Sequence, residues 1–294
     1  MRSKFAELMK KELSSNDQSC LLLGDIGVRS FENELLQYPS RVINVGILEQ
    51  SMVGIGAGLS LAGYIPTIHT IAPFMILRAF EQIKIDFGYQ ELSGNLVSVG
   101  ASIDYSALGT THHCPEDITV LNTIPNIELL IPGNSFELEN LLSHCFDNSK
   151  LTYIRLSELE NSYIEDFDFG KINVIKRGKS ATVLAVGPML EATIYACSEL
   201  DVTVLYCNVL KPFDANTLVN NLIGGKLVIV EPFFTNSTHG VLLDHGINFV
   251  DIKITSIGLP LKYFKKYGSL NENLIDVGLD RGGLREQILG IIYE

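Results

Sequence analysis

The chain has 294 residues, enough for two ordinary domains, and its 46% hydrophobic and 19% charged composition is that of a globular protein. A formal charge of −12 with no Lys/Arg block argues against a nucleic-acid surface, and no apolar run reaches membrane-spanning length or forms a secretion signal. Cys20, Cys114, Cys145, Cys197 and Cys207 are scattered without a Cys-x-x-Cys pair, which fits reduced thiols and a cytoplasmic protein better than a disulfide frame or a zinc site.

From Cys20 onward, strand-length apolar runs at 20–23, 42–45, 65–70, 96–99, 127–131 and 153–156 alternate with helical patterns at 49–63, 74–90 and 135–147. The runs are continuously apolar, which predicts a parallel sheet covered on both faces. Residues 157–170 are acidic and aperiodic and read as a linker. A second alternation follows, with strands at 181–186, 202–206, 227–230 and 250–254, helices near 189–199, 214–222 and 239–245, and a closing helix at 283–292. The expected fold class is therefore α/β, two layered domains each with a mostly parallel sheet covered by helices. No Gly-x-Gly-x-x-Gly dinucleotide fingerprint follows a strand.

Four segments carry candidate chemistry. The first places Glu49, in Asn44-Val45-Gly46-Ile47-Leu48-Glu49-Gln50, at the start of a Gly- and Ala-rich helix expected to be packed on nearly every side. Burial raises a carboxyl pKa and suits it to proton chemistry; a Glu in a first helical turn also serves simply to complement the helix dipole. In the second, Phe74 opens a helix after Ala72-Pro73, where an aromatic either stacks on a flat heterocycle or packs into the core. The third is the Gly-containing loop 106–118, in which His112 and His113 are adjacent. That is not metal-ligand spacing on a helix, and it suits acid/base or hydrogen-bonding groups at the carboxyl edge of a sheet. In the fourth, Arg155 ends an apolar strand, either as half of a structural ion pair or as an active-site cation.

Together Asn44-Val45-Gly46-Ile47-Leu48-Glu49-Gln50, Arg78-Ala79-Phe80-Glu81-Gln82-Ile83 and Gly109-Thr110-Thr111-His112-His113 with Glu116-Asp117-Ile118 resemble the pyrimidine-binding domain of the transketolase family of thiamine diphosphate enzymes. The remainder is similar to that family's C-terminal domain, which implies domains at 1–165 and 166–294. By this resemblance Glu49 is the glutamate that hydrogen-bonds the aminopyrimidine ring of the cofactor, and Glu49 and His112 are catalytic. Ile47, Glu49, Phe74 and Arg78 form the cofactor-binding set, with Met75 an alternative to Phe74 in the stacking slot; His112, His113 and Arg155 form the substrate-binding set.

The family's diphosphate and Mg2+ site, a Gly-Asp-Gly followed by Asn-Asn, has no counterpart here: Gly24-Asp25-Ile26 and Asn220-Asn221 do not match it. The resemblance therefore implies the C-terminal subunit of a split transketolase. Its partner would be an N-terminal chain holding the metal, and the assembly an α2β2 heterotetramer with a homodimer of this chain, made through helix 51–63, at its centre. A two-carbon ketol or acyl-anion unit would pass between ketose- and aldose-type substrates. A 2-oxo acid dehydrogenase E1 β subunit has the same two domains, and a catalytically silent assembly partner is a further alternative. Two positions depart from sugar-phosphate transketolases. Leu108 stands where an acidic residue precedes the loop Gly, and Glu158 stands where an Arg holds the substrate phosphate.

Overall fold

The computed structural model describes residues 1–163, 167–247 and 249–293, so the expected boundary between 165 and 166 lies outside the described residues. Its strands are β1 (Ser19–Leu23), β2 (Val42–Asn44), β3 (Ile65–Ile71), β4 (Gly94–Val99), β5 (Ile127–Leu130), β6 (Leu151–Arg155), β7 (Asn173–Lys176), β8 (Thr182–Val186), β9 (Thr203–Cys207), β10 (Val209–Lys211), β11 (Lys226–Phe234) and β12 (Lys253–Leu259). They form a seven-stranded sheet in the order β10-β5-β6-β4-β3-β1-β2 and a five-stranded sheet in the order β12-β11-β8-β9-β7. Pairing is parallel except for β10 on β5 and β7 on β9.

The first sheet is buried on both faces because alternate side chains of each strand enter different cores. Leu22, Ile68 and Leu96 meet Met52, Val53, Met75 and Phe87 from helix Glu49–Leu61 and the helical stretch after β3. Leu21, Leu23, Val97 and Ile154 meet Phe5, Met9 and Leu13 of helix Arg2–Ser15, and Leu138 and Leu142 of helix Ser135–Asp147. Phe5, Met9 and Leu13 recur every four residues, so a single stripe of the first helix supplies its apolar face.

Three features differ from the sequence expectation. The helix expected over 74–90 is built of π-helical turns at Phe74–Arg78 and Ile83–Tyr89 around a short α turn at Phe80–Gln82. The strand expected at 250–254 begins at Lys253, because Asp251 takes a left-handed conformation (φ 69°) that ends any extended run before it. Finally, β10 leaves the second unit and pairs with β5, Val209 opposite Leu130, so the first sheet takes its edge strand from beyond the linker. Among the described residues no helix is long and apolar enough to cross a membrane.

Helix Glu49–Leu61 follows β2, the π-helical stretch follows β3, and the histidine loop follows β4. All three candidate segments therefore gather at the C-terminal edge of one sheet, where α/β proteins place their sites.

Candidate active site

The turn that delivers Glu49 is fixed by Asn44. Its Oδ1 accepts from the backbone N–H of Asp25 at 3.0 Å and of Gly46 at 3.1 Å, and its Nδ2 donates to Asp25 Oδ1 at 2.9 Å, tying the ends of β1 and β2 together. Gly46 then turns the chain with φ 81°, a conformation that disfavours any side chain even though a Cβ there would touch nothing. Glu49 is the first residue of its helix and is 1% exposed. Arg78 Nη1 donates to Glu49 Oε2 at 2.6 Å, a charge-assisted bond, while the Arg78 side chain is 41% exposed. Among the described residues no donor reaches the other carboxylate oxygen.

The helix behind Glu49 corrects the expectation of packing on nearly every side. Gly56 is needed against the sheet, since a Cβ there would lie 2.7 Å from Ile68 Cδ1. The opposite face is open: Ile55 and Leu61 are exposed, as are Ile47 and Leu48 in the preceding turn, and a Cβ on Gly58 would meet nothing. The small residues thus serve close approach on one side only within this chain.

Phe74 and Met75 have opposite surroundings. Met75 is fully buried in the core, whereas Phe74 keeps a partly exposed ring with the Arg78 guanidinium 4.2 Å from its centroid and the His112 ring edge-on at 5.3 Å. Phe74 opens the π-helical turn and lies beside Arg78 and His112. His112 Nδ1 lies 3.0 Å from Thr111 Oγ1, leaving Nε2 as the nitrogen for a ligand. Tyr105 continues the row, its ring 6.4 Å from that of His112. Glu49, Arg78, Phe74, His112 and Tyr105 therefore form a continuous line of contacts.

The histidine loop is held from the second unit. Thr110 Oγ1 donates to Phe264 O at 2.7 Å, and the Tyr267 ring lies 2.7 Å from where a Gly109 Cβ would sit, at φ 75°. His113 turns away from the line. It is 5% exposed, packs edge-on to Phe264 at 6.1 Å, and burial lowers its pKa.

Arg155 is also separate from the line. It is buried with Asp117: Nε donates to Asp117 Oδ2 at 2.7 Å, Tyr153 Oη donates to the same oxygen at 2.9 Å, and the Ile118 N–H donates to Asp117 Oδ1 at 2.8 Å. Arg155 Nη2 donates to Ser102 Oγ, which donates in turn to Pro232 O, and the guanidinium lies 4.7 Å from the Phe233 ring centroid. Of the guanidinium nitrogens only Nη1 lacks a partner among the described residues. This arrangement joins β6, the histidine loop and β11 across the two units, and it is the ion-pair form of the two readings of Arg155. Tyr105, Phe264 and Tyr267 have no motif to announce them, and Asp117 lies within the Glu116-Asp117-Ile118 motif with nothing local to name its partner.

Glu49, with one carboxylate oxygen that no donor reaches among the described residues, and the partly exposed Phe74 ring lie on either side of Arg78, an arrangement that a flat nitrogen heterocycle would fit. Among the described residues no three His, Cys, Asp or Glu side chains converge to hold a metal.

Residues 1–162 match the family described as "Transketolase, pyrimidine binding domain", and the chain belongs to the transketolase family. It is 38% identical over 241 residues to an uncharacterized 33.6 kDa protein in the fasciation locus of Rhodococcoides fascians, covering 81% of this chain and 77% of that one. It is 32% identical over 225 residues to one of the subunits of the apulose-4-phosphate transketolase of Actinobacillus succinogenes, covering 71% of this chain and 72% of that one. A solved split-gene transketolase, described as an inactive β4 tetramer, superposes with a TM-score of 0.82 at 24% identity over 99% of this chain and 97% of its own, and so shares the fold.

Proposed function

We propose that this chain is the subunit of a two-component transketolase that holds the pyrimidine end of thiamine diphosphate, with a partner chain supplying the diphosphate and Mg2+ site. The observation that carries this is the Glu49 carboxylate, 1% exposed yet joined through a half-exposed Arg78 to the partly exposed Phe74 ring. Bound thiamine diphosphate supplies the carbon that holds a two-carbon unit between donor and acceptor. Glu49 would share a proton with a ring nitrogen of the pyrimidine, Arg78 fixes the orientation of its carboxyl group, and Phe74 walls the ring and excludes water. His112, engaged at Nδ1 by Thr111, uses Nε2 to hydrogen-bond a substrate oxygen and move its proton. Ile47, 64% exposed, stands at the mouth of the turn where the cofactor and partner chain approach.

The exposed face of Ile47, Leu48, Ile55 and Leu61 supports a homodimer of this chain at the centre of an α2β2 heterotetramer. Five buried free thiols suit a reducing cytoplasm. The test is to mix the chain with a diphosphate-binding partner, thiamine diphosphate and Mg2+, and to follow transfer from a ketose donor while calorimetry records cofactor binding. Binding and transfer are expected only in the mixture. Micromolar cofactor binding by the chain alone, or transfer undiminished by Glu49→Gln, overturns the reading.

A further inference from the structure

His112 stands at the end of a loop that has one free joint. The chain makes a tight 3-10 turn at Ser106–Leu108 and another at Thr110–His112, and between them Gly109 takes φ 75° and ψ −171°, a region of backbone space that essentially only glycine enters. The His112 N–H donates to Gly109 O at 2.9 Å, and Thr111 Oγ1 lies 3.0 Å from His112 Nδ1, so the imidazole is fixed to the second turn and moves with it. A small rotation at Gly109 would displace the ring from its place beside Phe74 and Tyr105.

That joint is covered from the second unit. Phe264 is buried in that unit's core, and its carbonyl accepts from Thr110 Oγ1 at 2.7 Å. A few residues on, Ser269 opens helix Leu270–Asp276 with a capping box, its N–H donating to Glu272 Oε2 at 2.8 Å. The segment between is therefore held at both ends, and it lays the Tyr267 ring against Gly109, with Cε1 2.7 Å and Cζ 3.0 Å from where a Cβ would stand. Ring carbons make the closest approach, so the aromatic face matters more here than the hydroxyl. Tyr267 is itself 69% exposed and adds little to the core, yet it presses on the one residue about which the histidine turn can swing.

Resting on the role proposed above for His112, we infer that Tyr267 is a positioning residue for the transfer reaction: its ring holds the Gly109 joint and thereby sets the His112 imidazole, with the hydrogen bond from Thr110 to Phe264 as a second hold on the same turn. It acts through His112, by way of the bond from the His112 N–H to Gly109 O.

The two-chain enzyme carrying Tyr267→Ala is expected to lose roughly 10- to 100-fold in kcat, with the cofactor concentration for half-maximal turnover and the urea midpoint nearly unchanged. Tyr267→Phe, which keeps the ring, should restore the wild-type kcat, and Thr110→Val, which loses one hydrogen bond, should cost on the order of fivefold. A kcat unmoved by Tyr267→Ala, a loss that Tyr267→Phe does not restore, or a loss matched by a lowered urea midpoint overturns the inference. Absence of transfer in every mixture, wild type included, counts against the proposed chemistry instead. In that event the His112 ring is followed directly on this chain by NMR of its Cε1–H group, assigned by its loss in His112→Gln. One sharp signal in wild type and Tyr267→Phe that broadens or splits in Tyr267→Ala supports the inference, and the same signal in all three refutes it.

Discussion

Glu49–Arg78 and Asp117–Arg155 are both carboxylate–arginine pairs at the C-terminal edge of the same sheet, with N···O distances of 2.6 and 2.7 Å. Their surroundings separate them. In the second pair both side chains are 0% exposed and the carboxylate is filled by Tyr153, Arg155 and a backbone N–H. In the first, only the carboxylate is buried; the guanidinium rests on the partly exposed Phe74 ring and is 41% exposed. One pair has its valences filled by the fold, while the other leaves one carboxylate oxygen that no donor reaches among the described residues. If the first pair holds a ligand as proposed, fold-holding and ligand-holding are distinguished by what fills the remaining valences, with ion-pair distance playing no part.

The sharpest break of this contrast is Glu49→Gln. The amide keeps shape and a bond to its surroundings while removing the carboxylate, so turnover of the two-chain enzyme should fall by about 10²–10⁴-fold. Urea unfolding of the chain itself should hardly change. A variant that loses stability in proportion to activity would place Glu49 with Asp117 as a structural group.

Arg155→Leu is the reciprocal experiment. It leaves Asp117 buried without its cation and should cost about 3–5 kcal/mol of folding stability, read from the urea midpoint. Arg78→Leu also strands a buried carboxylate, Glu49 at 1% exposure, and should cost about 1–3 kcal/mol; unlike Arg155→Leu it should in addition weaken cofactor binding by the two-chain enzyme. Cofactor binding that Arg78→Leu leaves unchanged would erase the distinction.

Asp104 probes the buried side of the comparison by pH. Burial raises its pKa to about 7 from 3.8, against the opposing pull of Arg155. The folded state therefore holds a proton that the unfolded state has released between these values, so this group's contribution to stability is full below about pH 4 and is lost as pH rises toward 7. The loss is at most on the order of 4 kcal/mol. Asp104→Asn removes that slope, so urea midpoints of wild type and variant, compared from pH 4 to 8, should diverge in favour of the variant as pH rises. Parallel curves would show that Asp104 is solvated more than its 5% exposure suggests.

The two pairs also differ in how far they are legible in the sequence. Glu49 is readable because a carboxylate placed between an apolar strand and a Gly-rich helix is a local signal, and the strand–helix alternation of the first unit is readable for the same reason. Pairing Arg155 with Asp117 requires knowing that β6 and the histidine loop meet across 38 residues of chain, which no local pattern states. The same holds for β10, whose partner lies in the other unit, and for Tyr267 and Phe264, which reach the loop from the far end of the chain. The one-residue ambiguity between Phe74 and Met75 is not settled by spacing, whereas burial separates them: Met75 lies in the core and Phe74 keeps a partly exposed ring beside Arg78 and His112.

That placement yields the smallest effect. Phe74→Ala removes a partly exposed ring that contacts Arg78 and His112, so it opens the cleft without hollowing the core and should leave the urea midpoint nearly unchanged. Loss of a stacking face is worth about 0.5–1.5 kcal/mol, so the cofactor concentration for half-maximal turnover of the two-chain enzyme should rise by roughly 2–13-fold. Phe74→Tyr, which retains the ring, should recover most of that loss. If Phe74→Ala instead unfolds the chain while leaving the cofactor requirement untouched, the ring belongs to the fold, and the open pair loses the wall that makes it a site.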